Sequence, residues 1–496
     1  MRIVLEKYNK LCYNNCVYKL FLRKENTIMK KTALLLALIL ALTPLLIACN
    51  EEVDAPVNSG VKEEVEYEYS LDDIPSLDFG KKEFGIYGVN GSMGYLIAEE
   101  ETGDLVNDAI FQRNLAIEER YNLDFNMFQA DPGVGTQQIR TFIMSGDQTY
   151  HLFQGLQHSG MPALILNDYF INWNDLEALR LENPYWNTHG VKNLSFNDRI
   201  YVMGGDLNLV TYNSTNSIFF NQKLFDDLGI DYPYQDVKDK TWTIDKMIEI
   251  TKQGYFDLNG DSEWDVKTDR LGYSGWGYEN MLALYVGMGG QTITSDENDM
   301  PSFNIATERN VKLIDKLIEL YDGKNSYCNF TEYSIDKNAF TDGRLLMDDG
   351  FITMLGWNRD SEFNIGILPY PMLDEEQGEY FSRAANIAHL SYIPTTNTIL
   401  QDTGIILEAM SIESYNTVRP TYYDITLSLK EAPDEESVEM VDIILASSSY
   451  LYDGFVSPGQ LQMFVDNQTN NWASWSASIE KSYKASVDKI IKYYSK

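Results

Sequence analysis

Residues 215–229 read TNSIFFNQKLFDDLG, and this stretch decides the fold class. Its first seven residues, rich in β-branched and aromatic side chains, predict a strand over 215–221. The next seven predict a short helix over 222–228. A strand that feeds directly into a helix is the repeating unit of an open α/β sheet. The same alternation recurs on both sides. Upstream, the spacing predicts a strand over 81–89 (KKEFGIYGV) ending at the turn-prone Asn90-Gly91-Ser92. An amphipathic helix follows over 104–121, with apolar Val106, Ile110, Leu115 and Ile117, then a strand over 123–128, a helix over 136–145 and a strand over 151–156. Downstream, Thr243 is placed to cap a helix over 243–252. Helices are expected at 281–286 and 311–321, short strands at 351–355 and 363–368, and a closing helix over 472–494 that carries Ile479, Tyr483, Val487 and Ile490. No internal repeat is present. The pattern predicts two α/β domains.

The 496-residue chain has net charge −35. Eight Lys and Arg against two Glu make residues 1–48 net +6 and leave −41 for the rest. So acidic a surface repels phosphate backbones, which excludes nucleic acid as a partner. From Met29 the sequence runs MKKTALLLALILALTPLLIAC: two lysines, an apolar run, then small Ala48 before Cys49. This is the layout of a secretory signal peptide, and the run is too short for a stable membrane span. Leu46-Ile47-Ala48-Cys49 resembles the bacterial lipobox, which implies lipidation of Cys49 and an anchor on the outer face of a membrane. Residues 1–28 are then a mis-assigned extension before the true start, 29–48 the signal peptide, and the acidic 49–80 a flexible tether. Cys12 and Cys16 fall in the discarded part and Cys49 is the anchor. Only Cys328 remains, so neither a disulfide framework nor a cysteine metal site is expected.

Catalytic signatures are largely missing. The four histidines, His151, His158, His189 and His389, form no close metal spacing. Gly272-Tyr273-Ser274-Gly275 begins like a nucleophile elbow, but Trp276 stands where a glycine is required. Asp257, Asn259, Asp261, Glu263 and Asp265 place oxygen atoms at alternate positions, as a loop wrapping a structural Ca²⁺ does. Ser262 and Thr268 depart from the EF-hand pattern. No other cofactor is expected.

Four segments in order resemble family 1 extracellular solute-binding proteins. Ile218 to Gly229, followed by Thr241-Trp242-Thr243-Ile244, is similar to that family's "YNKxLFxxxG … TWxE" run. Phe340-Thr-Asp-Gly343-Arg-Leu-Leu-Met347 is similar to "FxxGxxAM", and Ile365-Gly-Ile-Leu-Pro369-Tyr-Pro371 to its "fGilPyP" strand. The resemblance implies a periplasmic-binding-protein-like type II fold: two α/β lobes, with a hinged cleft that closes on a ligand. Lobe 1 is then expected over 81–208 with about 367–425, and lobe 2 over 214–364 with about 428–496.

The family includes maltose-type proteins, in which a tryptophan after "FxxGxxAM" packs on a sugar ring. The matching position is Trp357. Softer correspondences nominate Asn90, Ser92, Gln157, His158, Asn213, Trp276, Tyr278, Trp472 and Trp475 as ligand contacts. An indole offers apolar area to the C–H face of a sugar while amides and hydroxyls satisfy its rim. The implied protein is a monomeric carbohydrate receptor, lipid-anchored at the extracellular face of the cell membrane, serving the permease subunits of an ABC importer. It is not expected to be an enzyme. The rivals are a surface polysaccharide-degrading lipoprotein and a sugar-sensing module without transport.

Overall fold

The computed structural model describes residues 68–496, apart from 90, 132–133, 158–159, 324–325, 330–337, 359–360, 386–387, 428–434 and 452–457. The signal peptide, Cys49 and most of the expected tether lie outside the described residues. The end of the tether segment departs from its composition. Ile74 and Phe79 are buried, the Tyr69 ring packs edge-on against Tyr185 and Tyr415, and Arg180 donates to the Asp73 carbonyl at 2.6 Å. Isolated aromatic and aliphatic residues in an acidic stretch suffice to dock it on the globule.

Two hydrophobic cores organise the described chain. The first surrounds a four-stranded sheet of β1 (Lys82–Gly88), β2 (Leu123–Gln129), β3 (Leu152–Leu156) and β12 (His389–Tyr392), in the order β12-β3-β1-β2. β1, β2 and β3 are parallel, and β12 joins antiparallel to β3. The interior of β1 is buried throughout, as a central strand covered on both faces must be. Helices α1 (Leu105–Tyr121) and α2 (Thr136–Ser145) connect these strands. Asp104 caps α1 by accepting from the Asn107 N–H at 2.9 Å, and Asn122 ends it in the left-handed conformation.

The second core surrounds β4 (Asn216–Asn221), β5 (Leu271–Trp276), β8 (Ser326–Asn329), β9 (Leu345–Phe351) and β10 (Ile365–Leu368), in the order β10-β4-β9-β5-β8. β5 is parallel to β8 and β9, whereas β4 is antiparallel to β9 and β10. Around it lie α3 (Gln222–Leu228), α4 (Ile244–Thr251), α5 (Gly277–Gly287) and α6 (Glu308–Leu320). The opening stretch is thus β4 followed by α3, with Asn221 capping the helix at the Leu224 N–H. Thr243 stands at the N-cap of α4 but makes no side-chain cap bond, and the Ile244 N–H is taken by the Met372 carbonyl. The strand expected at 351–355 is displaced. The strand runs upstream of it, as β9 over Leu345–Phe351, and Ile352–Asn358 is a 3₁₀ turn.

Two small pairs complete the strands: β6 (Ile293–Ser295) with β7 (Pro301–Phe303), and β11 (Ser382–Arg383) with β13 (Ser448–Ser449). The later helices are α7 (Leu400–Glu413), α8 (Arg419–Leu427), α9 (Glu435–Ala446) and α10 (Trp472–Tyr494), with a π-helical turn at Ser414–Val418 between α7 and α8. α10 belongs to both cores. Trp472 lies in the second, while Val487, Ile490, Tyr493 and Tyr494 lie in the first, where lobe 2 alone was expected. α1 also serves both, through Val106 and Ile110 on one side and Ile117 and Tyr121 on the other. Among the described residues no helix is long and apolar enough to cross a membrane.

Candidate functional site

Parallel strands deliver their carboxyl ends to one edge of a sheet, where open α/β proteins bind ligands. Here the ends of β1 and β3 lead to the nominated loops at Asn90–Ser92 and Gln157–His158. The ends of β5 and β9 lead to Trp276, Tyr278 and Trp357.

Three chain segments pass between the lobes side by side. Met203 pairs with Ser391, Thr215 pairs with Ala384, and β11 pairs with β13. The Ala385 N–H donates to the Ser214 carbonyl at 2.9 Å, and the Thr215 and Ser448 hydroxyls meet at 3.1 Å. Small side chains let three backbones approach closely. In the first crossing, Gly205 has φ +138°, and a Cβ there would lie 2.3 Å from the Tyr185 carbonyl oxygen, so only glycine fits.

Asp206 follows, fully buried. Arg419 donates to it at 3.3 Å, to Asp442 at 2.8 Å and to the Tyr423 hydroxyl at 2.7 Å. The guanidinium also lies 5.1 Å from each of the Tyr415 and Tyr423 ring centres. Burial pushes the Asp206 carboxyl up to about 6, with Arg419 pulling part of the way back.

Beside this crossing is a cavity of about 480 Å³ that both lobes line, within the usual range for small-molecule sites. Gly91, Gly94, Tyr95 and Ile97 come from the loop after β1. Asp104, Val106, Asn107 and Ile110 come from the start of α1, Val210 and Asn213 from the first crossing, and Tyr422 from α8. The Tyr95 and Tyr422 rings meet edge to face, 5.6 Å apart. The Tyr422 hydroxyl donates to Asn213 Oδ1 at 3.2 Å, and the Tyr95 hydroxyl lies beside the same side chain. The Thr353 hydroxyl donates to the Asn213 carbonyl at 3.2 Å, which ties the turn carrying Trp357 to this junction. The cavity therefore offers a half-buried amide beside two tyrosine rings, with Val106 and Ile110 as apolar lining. A wider depression of about 620 Å³, lined among others by Lys223, Asp342 and Glu362, lies near the start of β9, away from the strand ends named above.

The structure thus gathers Asn213 and the loop beyond Asn90, and separates other nominated residues from the cavity. Ser92 is fully buried, with its hydroxyl donating to the Gln154 carbonyl at 3.2 Å, so it holds the loop rather than facing a ligand. Gln157 is 4% exposed; its amide donates to the Leu451 carbonyl, and its Oε1 has no partner among the described residues. Trp472 is a core residue: its indole N–H donates to the Ile305 carbonyl at 2.8 Å, and its ring packs on Tyr285, Phe464 and Trp475. Trp475 is half-buried beside it. The backbone ends β5 at Trp276, starts α5 near Tyr278 and places Trp357 in the 3₁₀ turn, but these three side chains lie outside the described residues, as do Asn90 and His158. Tyr95 and Tyr422 were not foreseen, since neither follows a strand end closely enough to be nominated from sequence.

The carboxylates of the expected Ca²⁺ loop accept from the loop's own backbone. The Asp257 carboxylate accepts from the Gly260 and Ser262 N–H groups at 2.7 and 2.8 Å, and Asp261 accepts from the Glu263 N–H at 2.7 Å. The Asp265 carboxylate takes the Lys267 N–H at 2.9 Å. The backbone N–H groups around Asp257, Ser262 first and then Gly260, hold its carboxyl below the ordinary range. Among the described residues no group of three or more His, Cys, Asp or Glu side chains gathers to hold a metal. The acidic spacing builds a self-capped turn instead.

At the level of sequence, no family model and no curated protein matches the chain. Solved structures do. UspC of M. tuberculosis superposes with a TM-score of 0.54 at 12% identity, covering 80% of this chain and 98% of that one. A cyclo/maltodextrin-binding protein complexed with maltotetraose gives 0.53 at 8% identity, with coverages of 83% and 96%. The bacterial solute receptor AcbH, described as having an exclusive substrate preference for β-D-galactopyranose, gives 0.53 at 12%, with coverages of 83% and 100%. With these folds and its own two cores and three crossings, the chain has the two-lobed α/β fold of the periplasmic-binding-protein type II kind.

Proposed function

We propose that this protein is a carbohydrate receptor, not an enzyme, which captures a mono- or oligosaccharide between its lobes and delivers it to the permease subunits of an ABC importer. The observation that carries the reading is the cavity at the lobe junction, where Asn213 stands beside Tyr95 and Tyr422. A sugar presents an apolar C–H face and a hydroxyl rim, and this lining offers rings to the first and an amide to the second. Its one carboxylate, Asp104, already caps α1, whereas glycoside hydrolysis commonly needs a facing pair. Ligand contacts made with both lobes favour the closed form, which a permease can select. The fold shared with sugar receptors supports this reading, and so does the signal-and-cysteine layout, which fits a protein held on the extracellular face of the membrane by a lipid on Cys49.

Isothermal titration against a panel including galactose and maltotetraose tests the ligand class. The expected result is saturable binding of at least one sugar with micromolar or tighter affinity, about −8 kcal/mol. Heat from an amino acid or peptide with none from any sugar overturns the class. The anchor is tested separately by incorporation of labelled fatty acid, which Cys49→Ser should abolish; undiminished labelling of that variant counts against it.

A further inference from the structure

A guanidinium is buried next to the junction cavity without lining it. Arg113, on α1, is 2% exposed. It follows the cavity residue Ile110 by three positions, so the two share a face of the helix. Ile110 belongs to the second core and Ile117 to the first, so Arg113 lies where α1 passes from one core to the other. Burying a charge there is unfavourable unless its donors are taken up. Nη1 donates to the Tyr95 carbonyl at 3.1 Å and to the Ser414 hydroxyl at 2.9 Å. Nη2 donates to the Leu96 carbonyl at 3.3 Å and to Asn114 Oδ1 at 2.9 Å, and Nε donates to the same Oδ1 at 3.1 Å.

These partners converge on the cavity. Two are consecutive carbonyls of the loop after β1, and Asn114 Nδ2 holds the second of them again at 2.8 Å. Fixing both carbonyls fixes the peptide planes that follow Tyr95. The half-buried Tyr95 ring lines the cavity and meets Tyr422 edge to face at 5.6 Å. The Ser414 hydroxyl opens the π-helical turn from which α8 starts, and Tyr422 is the fourth residue of α8. Such turns recur at functional sites. One side chain thus grips the backbone that leads to both rings. A lysine at 113 would keep the charge but offer a point donor in place of a planar fork.

We propose that Arg113 is a positioning residue of the junction cavity: by gripping the Tyr95 loop and the π-helical turn together, it sets the Tyr95 ring against Tyr422 in the arrangement that receives the ligand. The inference rests on the sugar-receptor reading for its ligand, but not for the setting of the ring. Arg113→Lys, Arg113→Met and Ser414→Ala test it, with Ile139→Ala as a control that removes only apolar bulk from the first core. The first readout is ¹⁹F NMR of ligand-free protein carrying 3-fluorotyrosine at position 95 alone, introduced by stop-codon suppression. The second is sugar affinity by titration, in the native sequence and in a Tyr95→Ala background.

Both Arg113 variants should shift or broaden the Tyr95 resonance and weaken sugar binding about tenfold. Ser414→Ala should do the same to a smaller degree. Ile139→Ala should lower the melting temperature and leave the resonance in place. In the Tyr95→Ala background Arg113→Lys should cost no further affinity, because the ring it sets is gone. A resonance unmoved by both Arg113 variants overturns the proposal. So does a shift that Ile139→Ala reproduces, which would make Arg113 a stabilising residue only. An affinity loss fully additive with that of Tyr95→Ala overturns it too. Should Arg113→Met fail to fold, Arg113→Lys and Ser414→Ala carry the same outcomes. Should the wild type bind no sugar, the receptor reading falls while the fluorine resonance still decides the setting of the ring.

Discussion

Asn213 is the residue on which the proposed ligand site turns, because it accepts from Tyr422 on one side and offers its backbone carbonyl to Thr353 on the other. Asn213→Ala is expected to weaken sugar binding about tenfold, roughly 1.4 kcal/mol, the scale of one lost hydrogen bond to a ligand. Titration calorimetry checks it, and unchanged affinity would remove the site from this cavity. Asp206 carries a second prediction. Its carboxyl is raised from 3.8 to about 6 by burial. The folded state therefore holds a proton that the unfolded chain releases as pH rises through the ordinary carboxylate range. This contribution is fully present below about pH 4 and is lost as pH climbs to about 6, by on the order of 3 kcal/mol. Asp206→Asn does not titrate. The stability of the wild type relative to this variant should fall between pH 4 and 6.5 in thermal melts, and a constant difference would contradict the mechanism. Asn213 was nominated from sequence for its place near the first crossing, and the structure sets it in the lining of the junction cavity. Ser92 and Trp472 were misread because residue type does not say whether a polar group's partner is protein or ligand. Both partners here are backbone carbonyls of this chain, at Gln154 and Ile305.

Among elements, the three crossings are the most constrained, and Gly205 is where the constraint is tightest. Gly205→Ala must either abandon φ +138° or displace the Tyr185 carbonyl, and strain of this kind typically costs about 1–3 kcal/mol. Urea denaturation should show that loss, and a variant as stable as the wild type would mean that the crossing is looser than its packing. The early helices α1 and α2 were readable because each shows one face to a core and one to water. α7 was not foreseen: residues 403, 404 and 406–412 are all buried, so no stripe of period 3.6 survives to be read. β9 was misplaced for a related reason. Its run LLMDDGF is buried at every position, and the adjacent Asp348 and Asp349 break the apolar pattern. Asp349 is tolerated there because Tyr273, Tyr370 and Asn280 surround it, a circumstance set by residues from three other segments.

Across the molecule, hinge bending has to contend with more than the crossings. α10 is 23 residues long, about 35 Å at 1.5 Å per residue. At its start Trp472 is sealed in the second core. At its end the Tyr494 hydroxyl donates to the Leu194 carbonyl at 2.9 Å, and Asn197 donates to the Tyr494 carbonyl at 2.7 Å. The β6–β7 hairpin adds a contact at the same turn, where the Asn197 N–H donates to the Asp299 carbonyl at 2.7 Å. A helix fastened to both lobes resists their separation, so α10 should limit how far the ligand-free protein opens. Lys484 and Ala485 lie exposed between the two attachments, and replacing both with glycine softens the helix without touching either end. The cost to the helix is about 1 kcal/mol per glycine. The lost Lys484–Asp488 pair, 2.9 Å apart and exposed, adds little. Small-angle scattering should then report a larger radius of gyration for the ligand-free variant, with the ligand-bound values of variant and wild type converging. Equal ligand-free radii would show that the crossings alone set the open state, and that α10 rides with the lobes instead of restraining them.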